Sequence, residues 1–492
     1  MSYFEPDAEL FQASSQALAG IDTSCLLPAK STFEIHDPGT EEVIGVLPDH
    51  TPEDALTALG KADVAGKDWA KSSPRTRSDL LHKVYATLID NKDSLAYVIS
   101  REMGKPLAEG YAEVQYSADY VRWFAEEALR SQGLYRDSPP GDATILVRRS
   151  PVGNAVLIAP WNFPMAMATR KIAPALAAGC ACVVKPAALT PLTTVMVLDL
   201  LIKAGMPKDL VQVITTTNAS GFSSTLLGDQ RVKKISFTGS TPVGSTLMQL
   251  AAKNIVKSSM ELGGNAPLIV FDDADLDRAV EGAILAKMRN GGQTCVAANR
   301  MFVQEGIADQ FISKFTEAMA AFKLGHSMNK EATLGPVIDE RAVQRLTHLV
   351  EDAVAKGANL LTGGKSPDRP GHYFEPTVLD NVPTDADIAT TEIFGPVAAI
   401  TRFKTQAEVI EKANDTEFGL AAFIFTQDLD RAFNVAEALE TGMVGINNGL
   451  LSNIAAPFGG VKASGTGREG GAEGLEEYQE IRYFTMKRRE TV

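Results

Sequence analysis

The sequence predicts an α/β fold of two lobes, each built on an open, doubly wound parallel sheet. Three observations predict it. From Val152 onward, short apolar runs, "NAVLIAP", "CACVVKP", "LVQVITT" and "KKISFTGS", alternate with helical stretches such as "TPLTTVMVLDLLIKAG". Strands of a parallel sheet are covered on both faces, so they read as short continuous apolar runs, each followed by a helix. A similar alternation resumes after Glu261 with "APLIVFDD", "RMFVQEG" and "AAITRFKT", separated by helices such as "IADQFISKFTEAMAAFK", which places a lobe boundary near Glu261. Finally, 492 residues suffice for two to four domains or one elaborate α/β unit, at roughly 100–200 residues per domain.

The remaining elements follow in chain order. "TPEDALTALGKADVAGKDWA" and "PRTRSDLLHKVYATLIDNKDSLAYVISREMGK" have apolar residues at helical spacing and read as packed surface helices. "DATILVRRSPVG" and the tail "QEIRYFTMKRRE" are strand-like and belong to neither alternation, so they pair with each other or with another subunit. There is no repeat of solenoid period and no low-complexity tract.

Composition excludes several function classes. Apolar residues at 45% and charged residues at 22% are the balance of a globular protein, not of a disordered or membrane chain. A net charge of −14 leaves no surplus of Lys and Arg for phosphates, which argues against nucleic-acid and anionic-membrane partners. The most apolar region, 153–184, is broken by Pro160, Pro164, Arg170, Lys171 and Pro174, so no transmembrane helix is expected. The start, "MSYFEPDAELFQASSQ", lacks a basic segment before an apolar run; no signal peptide is read there and a cytoplasmic location is expected. Cys25, Cys180, Cys182 and Cys295 form neither a zinc spacing nor a disulfide framework, and no metal is expected. Cys180 and Cys182, in "AAGCACVVKP", read as buried small hydrophobes.

Two glycine motifs differ in value. "GTGREG" (465–470) matches G-x-G-x-x-G but follows no strand, and it reads as a flexible glycine-rich loop. "ISFTGSTPVGSTLMQLAA" runs from a strand through Gly239 and Ser240 into a helix, whose N-terminal amides suit an anion. The spacing of Gly239 and Gly244 approaches a P-loop, yet Ser245 stands where the lysine belongs, which disfavours phosphoryl transfer. In "RNGGQTCVAANR", Cys295 sits in a glycine-framed stretch without a histidine, and in "SMELGGNAPLIV" Glu261 precedes two glycines that allow close approach to a ligand. None of the six histidines lies in a segment that reads as catalytic, which disfavours a cysteine hydrolase.

Taken together, "PWNFP" (160–164), "KPAALTP" (185–191), "FTGS" (237–240), "MELGG" (260–264), "GGQTC" (291–295) and "EIFGPV" (392–397) resemble the aldehyde dehydrogenase superfamily in order and spacing, from about Phe33 to the C-terminus. The resemblance implies two Rossmann-like open-sheet lobes, one cofactor-binding and one catalytic, plus a β-strand oligomerisation arm. Residues 1–130 and 150–260 would form the dinucleotide-binding domain and 261–445 the catalytic domain; 131–149 and 446–492 would supply the arm, a substrate-pocket loop and a C-terminal strand. It implies that Cys295 attacks an aldehyde, that Asn162 and the Cys295 N–H hold the oxyanion, and that Glu261 activates the water which releases a thioester. Trp161, Asn162, Lys185, Pro186, Ala187, Ala188, Gly239, Ser240, Gly244, Leu262, Glu392 and Phe394 would bind the nicotinamide cofactor.

Many NAD-linked relatives carry a glutamate at the position of Ala188, which would repel a 2′-phosphate; its absence leans toward NADP with NAD also usable, although Ala187 lacks the hydroxyl common in NADP-preferring relatives. A finer similarity, in "MATRKIAPALAAGC", "KMRNGGQTCVAANR" and "LLSNIAAPFGGVKASGTGREGG", is to succinate semialdehyde dehydrogenases, and it implies that Arg170, Arg289 and Ser452 bind a substrate carboxylate. Alternatives are the same chemistry on glutarate semialdehyde or on a neutral aldehyde, or, further off, a cysteine hydrolase or a noncatalytic relic. Ala297 occupies the place of a second cysteine found in several such enzymes, so no inhibitory disulfide with Cys295 is expected. The arm implies a homodimer or homotetramer.

Overall fold

The structure, a computed structural model, describes residues 3–487. The last residues of the tail stretch, and the outer limits at 1 and 492 of the expected domains, lie outside the described residues.

The first sheet has six strands in the spatial order Gly465–Thr466, Lys257–Glu261, Val232–Thr238, Asn154–Ile158, Cys182–Lys185 and Val211–Val213. The last five pair in parallel. Every residue of Asn154–Ile158, Cys182–Lys185 and Val211–Val213 is buried, as helices on both faces require. Cys180 and Cys182 are buried in this core. The second sheet runs Asn359–Thr362, Thr377–Asp380, Val397–Phe403, Ala298–Gln304, Ala266–Val270, Ala421–Phe425 and Met443–Ile446, parallel except at its first pair. Two Rossmann-like sheets are therefore present.

The two orphan stretches pair with each other. Gln479–Lys487 lies antiparallel to Ala143–Pro151, from Gln479 opposite Pro151 to Lys487 opposite Ala143, and Leu134–Asp137 completes a three-stranded arm. Tyr135, Ile481, Tyr483 and Met486 are exposed on it. Among the described residues, no helix is long and apolar enough to cross a membrane.

Local chemistry sets the helix boundaries. Thr51 and Asp54 form a capping box ahead of Pro52–Trp69. The long charged stretch after it divides at Asn91 into Pro74–Asp90 and Lys92–Met103. The helix Leu192–Lys203 has no side-chain cap of its own; buried Glu102 accepts from Leu192 N at 2.8 Å and Thr193 N at 2.9 Å instead. Burial pushes the Glu102 carboxyl up to about 8 despite these donors.

One glycine motif is corrected. "GTGREG" is not a flexible loop: Gly465 and Thr466 pair with Glu261 and Met260 as an edge strand, so the C-terminal region returns across the expected boundary at 261. Gly465 has φ +119°, and a Cβ there would collide with the Met260 carbonyl oxygen. Gly465→Ala should therefore cost about 1–3 kcal/mol through strain and lower the melting temperature by several degrees, as measured by calorimetry; an unchanged melting curve would contradict the packing described.

Candidate active site

The first lobe brings four parallel strands to a common edge by their C-terminal ends, at Ile158, Lys185, Thr238 and Glu261. Crevices beyond such ends are where open α/β sheets bind ligands. The second lobe faces them with segments that enter its strands: the stretch containing Cys295 precedes Ala298–Gln304, and Glu392 and Phe394 precede Val397–Phe403. A cavity of about 240 Å³ lies between.

The nucleophile loop is held in an unusual backbone. After helix Leu276–Met288, residues Asn290, Gly291 and Gly292 all have positive φ, at 57°, 61° and 74°. A Cβ on Gly292 would collide with the Gly395 carbonyl oxygen, so only glycine fits there. Asn290 tolerates the left-handed region because its Nδ2 donates to the carbonyls of Asn162 and Gln293, both at 3.0 Å. Gln293 is anchored in turn by Ile338 N, which donates to its Oε1 at 3.0 Å. Cys295 emerges half-buried on the cavity wall. Burial pushes its thiol up to about 12; Arg170 opposes the rise, while Glu392 and Glu261 add to it.

Asn162 faces the same cavity. Its Nδ2 donates to Gln293 O at 3.1 Å and its Oδ1 accepts from Phe163 N at 3.1 Å. An amide nitrogen carries two hydrogens, so one donor remains for a ligand.

Glu261 is 2% exposed, and among the described residues neither of its carboxyl oxygens has a hydrogen-bond partner. Burial and then the neighbouring Glu469 raise its pKa well above the carboxylate range, outweighing Arg170, Lys171 and Arg468. Glu469 behaves oppositely. Burial disfavours its charge, but Arg170 Nε pairs with Oε2 and Lys171 Nζ with Oε1 at 2.5 Å, which hold its carboxyl below the usual range. Both cations come from Pro164–Ala178, a helix buried along its whole length.

Also in the cavity wall, Arg289 Nη1 donates to Ser452 Oγ at 2.9 Å, and the guanidinium lies over the rings of Phe163 and Tyr116, 5.0 and 5.6 Å from their centroids. Arg170 lies 4.4 Å from the centroid of Phe458. On the remaining side, Trp161 and Phe394 meet edge to face at 5.3 Å. Glu392 Oε1 accepts from Gly264 N at 3.2 Å, and burial pushes its carboxyl up to about 7 against that bond and Arg345.

A nicotinamide dinucleotide suits these groups. Ser240 makes no side-chain bond to helix Thr241–Ala252, whose first amides remain available to an anion. Lys185 is buried with Pro186 O as its acceptor at 3.0 Å, and burial lowers its pKa to about 8.

The cavity gathers Cys295, Glu261, Asn162, Trp161, Gly239, Ser240, Leu262, Glu392, Phe394, Arg170, Arg289 and Ser452. Lys185, Pro186, Ala187 and Ala188 stand outside its lining, at and beyond the end of strand Cys182–Lys185. Gly244 lies inside the helix, where a Cβ would collide with Leu262. Sequence reasoning missed Tyr116, Phe163, Met167, Phe458 and Arg345 in the wall, and Lys171 and Glu469 behind Glu261. Glu469 was within the discounted "GTGREG", and an acid in a glycine run gives no sign that two buried cations await it.

Comparisons with known proteins agree with this geometry. The model of the "Aldehyde dehydrogenase family" matches residues 27–484. The chain is 49% identical over 442 residues to a succinate-semialdehyde dehydrogenase of Paenarthrobacter nicotinovorans, covering 90% of this chain and 98% of that one. It is 49% identical over 458 residues to a glutarate-semialdehyde dehydrogenase of Pseudomonas putida, covering 92% and 94%. An NADP(+) succinate-semialdehyde dehydrogenase of Escherichia coli is 46% identical over 457 residues, covering 92% and 94%. The crystal structure of a succinate-semialdehyde dehydrogenase from Burkholderia pseudomallei superposes with a TM-score of 0.93 at 45% identity, covering 95% of this chain and 99% of that one. With the family model spanning nearly the whole chain and its motifs converging on one cavity, the protein belongs to the aldehyde dehydrogenase family.

Proposed function

We propose that this aldehyde dehydrogenase oxidises succinate semialdehyde to succinate, with NADP preferred and NAD also used. The observation that carries the reading is a single cavity lined by Cys295, Glu261 and Asn162 together with an Arg289–Ser452 pair. An arginine already bonded to a hydroxyl is a preformed carboxylate receptor.

The Cys295 sulfur adds to the aldehyde carbon, and the thiol proton passes to the Glu261 carboxylate, which releases it to solvent before the hydrolytic step. The resulting thiohemiacetal oxygen is held by the free Asn162 Nδ2 hydrogen and the Cys295 backbone N–H. One such donor is worth about 3 kcal/mol, roughly a hundredfold in rate. The nicotinamide cofactor, when bound, supplies the hydride acceptor and a cationic ring. Glu392 and Phe394 orient the nicotinamide end, and Trp161, Gly239, Ser240 and Lys185 receive the adenosine and pyrophosphate end. Glu261 then takes a proton from the water that cleaves the Cys295 thioester. Its raised pKa makes the Glu261 carboxylate, once ionised, a stronger proton acceptor than an ordinary glutamate.

The neutral Ala188, beyond the end of strand Cys182–Lys185, supports NADP by leaving no acid to repel a 2′-phosphate, and the E. coli relative carries NADP(+) in its name. The exposed Tyr135, Ile481 and Tyr483 of the arm support a homodimer or a dimer of dimers. Glutarate semialdehyde is a second reading, favoured by the equal identity to the P. putida enzyme.

A panel of succinate, glutarate and neutral aldehydes with each cofactor, read as cofactor reduction, tests the proposal. Arg289→Ala should lower kcat/KM for succinate semialdehyde by about ten- to a hundredfold, the worth of a charged hydrogen bond, while leaving a neutral aldehyde nearly unaffected. Equal losses on both substrates would remove the carboxylate-binding role. A second prediction concerns the resting thiol. Since Cys295 is held up to about 12, its thiolate fraction should grow about tenfold per pH unit from about pH 7 to about 10. Inactivation of the cofactor-free enzyme by iodoacetamide should follow that slope, and a plateau beginning near neutrality would show a thiolate already formed.

A further inference from the structure

Helix Leu107–Glu127 carries Glu109 and Glu113, one turn apart and on one side. They reach two different loops. Glu113 Oε1 accepts from Met165 N at 2.9 Å and Ala166 N at 3.2 Å, the first turn of Pro164–Ala178, whose preceding Phe163 provides no side-chain cap. Glu113 Oε2 pairs with Lys105 Nζ at 2.6 Å, and both side chains are fully buried. The same ammonium donates to the Asn162 carbonyl at 2.9 Å and lies 4.0 Å from the centroid of the Phe163 ring. One ion pair thus grips residues 162–166 at four places.

Glu109 serves the other lobe. Its Oε2 accepts from Asn290 N at 2.8 Å. Asn290 Nδ2 donates to the Asn162 carbonyl at 3.0 Å, where Lys105 also ends, and to Gln293 O at 3.0 Å, where the Asn162 amide also ends. The loop that presents Cys295 and the loop that presents Asn162 are therefore tied to one another and to one helix. Lys105, Glu109 and Glu113 do not line the cavity.

From this connectivity we infer that Lys105, Glu113 and Glu109 are positioning residues, a clamp that sets the Asn162 amide against the Cys295 backbone N–H across the two lobes. The inference rests on the reading of those two groups as the oxyanion donors. Donors of this kind work only at the spacing of the developing charge, and they come here from segments 133 positions apart in the sequence, one in each lobe.

The test is a double-mutant cycle on the full-length enzyme with saturating NADP and succinate semialdehyde. Lys105→Met with Glu113→Gln removes both charges of the buried pair together and keeps an acceptor oxygen for the helix amides, and Arg289 remains as a cationic neighbour of Glu109. This paired variant should lower kcat at least tenfold with KM changed less than threefold, and in an Asn162→Ala background it should cost less than threefold further. If the paired variant does not fold, Glu109→Ala is measured in the same cycle with the same expectation. Equal factors with and without Asn162→Ala, or a loss confined to KM, would overturn the clamp. An Asn162→Ala enzyme that keeps its full kcat would overturn the oxyanion reading itself, and the clamp with it.

Discussion

Two buried carboxylates, Glu261 and Glu469, compete for the same two buried cations, and Glu469 holds both. The rest of the site depends on this unequal division. Removing an ion from water costs several kcal/mol unless a partner repays it. Glu469 is repaid by Arg170 and Lys171, whereas Glu261 has no partner among the described residues and is driven toward its neutral form. The cluster of Arg170, Lys171 and Glu469 is left with a surplus of positive charge beside Cys295 and Glu261. It can receive one more negative charge, and the proposed reaction places one there at a time: the Glu261 carboxylate before each proton transfer, and the oxyanion after sulfur or water has added. A field that accommodates each in turn need not be reorganised between steps, which is the advantage of a preorganised site.

Placement of that charge is a matter of sheet geometry. The C-terminal ends of four first-lobe strands and the entrances to two second-lobe strands meet at one crevice, so Glu261 ends a strand while Cys295 and Glu392 lead into others. Strands buried on both faces are rigid, and residues at their ends inherit that rigidity better than residues on free loops. Where the chain leaves regular structure, glycines and a left-handed asparagine hold it: Asn290, Gly291 and Gly292 before the nucleophile, and Gly465 against the strand that ends in Glu261.

Much of this was legible in the sequence, for identifiable reasons. The apolar runs around Val156, Val183, Ile235, Leu268, Met301 and Ile400 are strands: they are short, rich in β-branched residues and buried on both faces. Cys295 stood out through its glycine frame. The charged layer behind the site did not. "GKPLAEGYAEVQ" has the texture of a solvated helix face, and no periodicity distinguishes a glutamate facing water from Glu113, which is fully buried against Lys105. Long-range pairing is the missing information: Lys105 meets Asn162 57 positions away and Lys171 meets Glu469 298 positions away. The same limit explains the misreading of "GTGREG", whose glycines are needed for close strand pairing and whose glutamate is the counter-ion of two cations.

The division of cations also bears on substrate choice. Arg170 and Arg289 both line the cavity, and the sequence offered them as equivalent carboxylate ligands. They differ in commitment. Arg170 Nε is paired with Glu469 and its guanidinium is buried, so a substrate anion there would compete with Glu469 and with the charges formed in the reaction. Arg289 donates to the neutral Ser452 hydroxyl and lies over two aromatic faces, with Glu109 as an electrostatic neighbour. In the proposed reaction, Arg289 and Ser452 therefore recognise the carboxylate, while Arg170 sets the field at the thiol. Separating the two tasks lets the anion be bound without drawing charge away from the reacting carbon, and it makes Arg289 the residue through which a change of substrate would leave the chemistry of Cys295 intact.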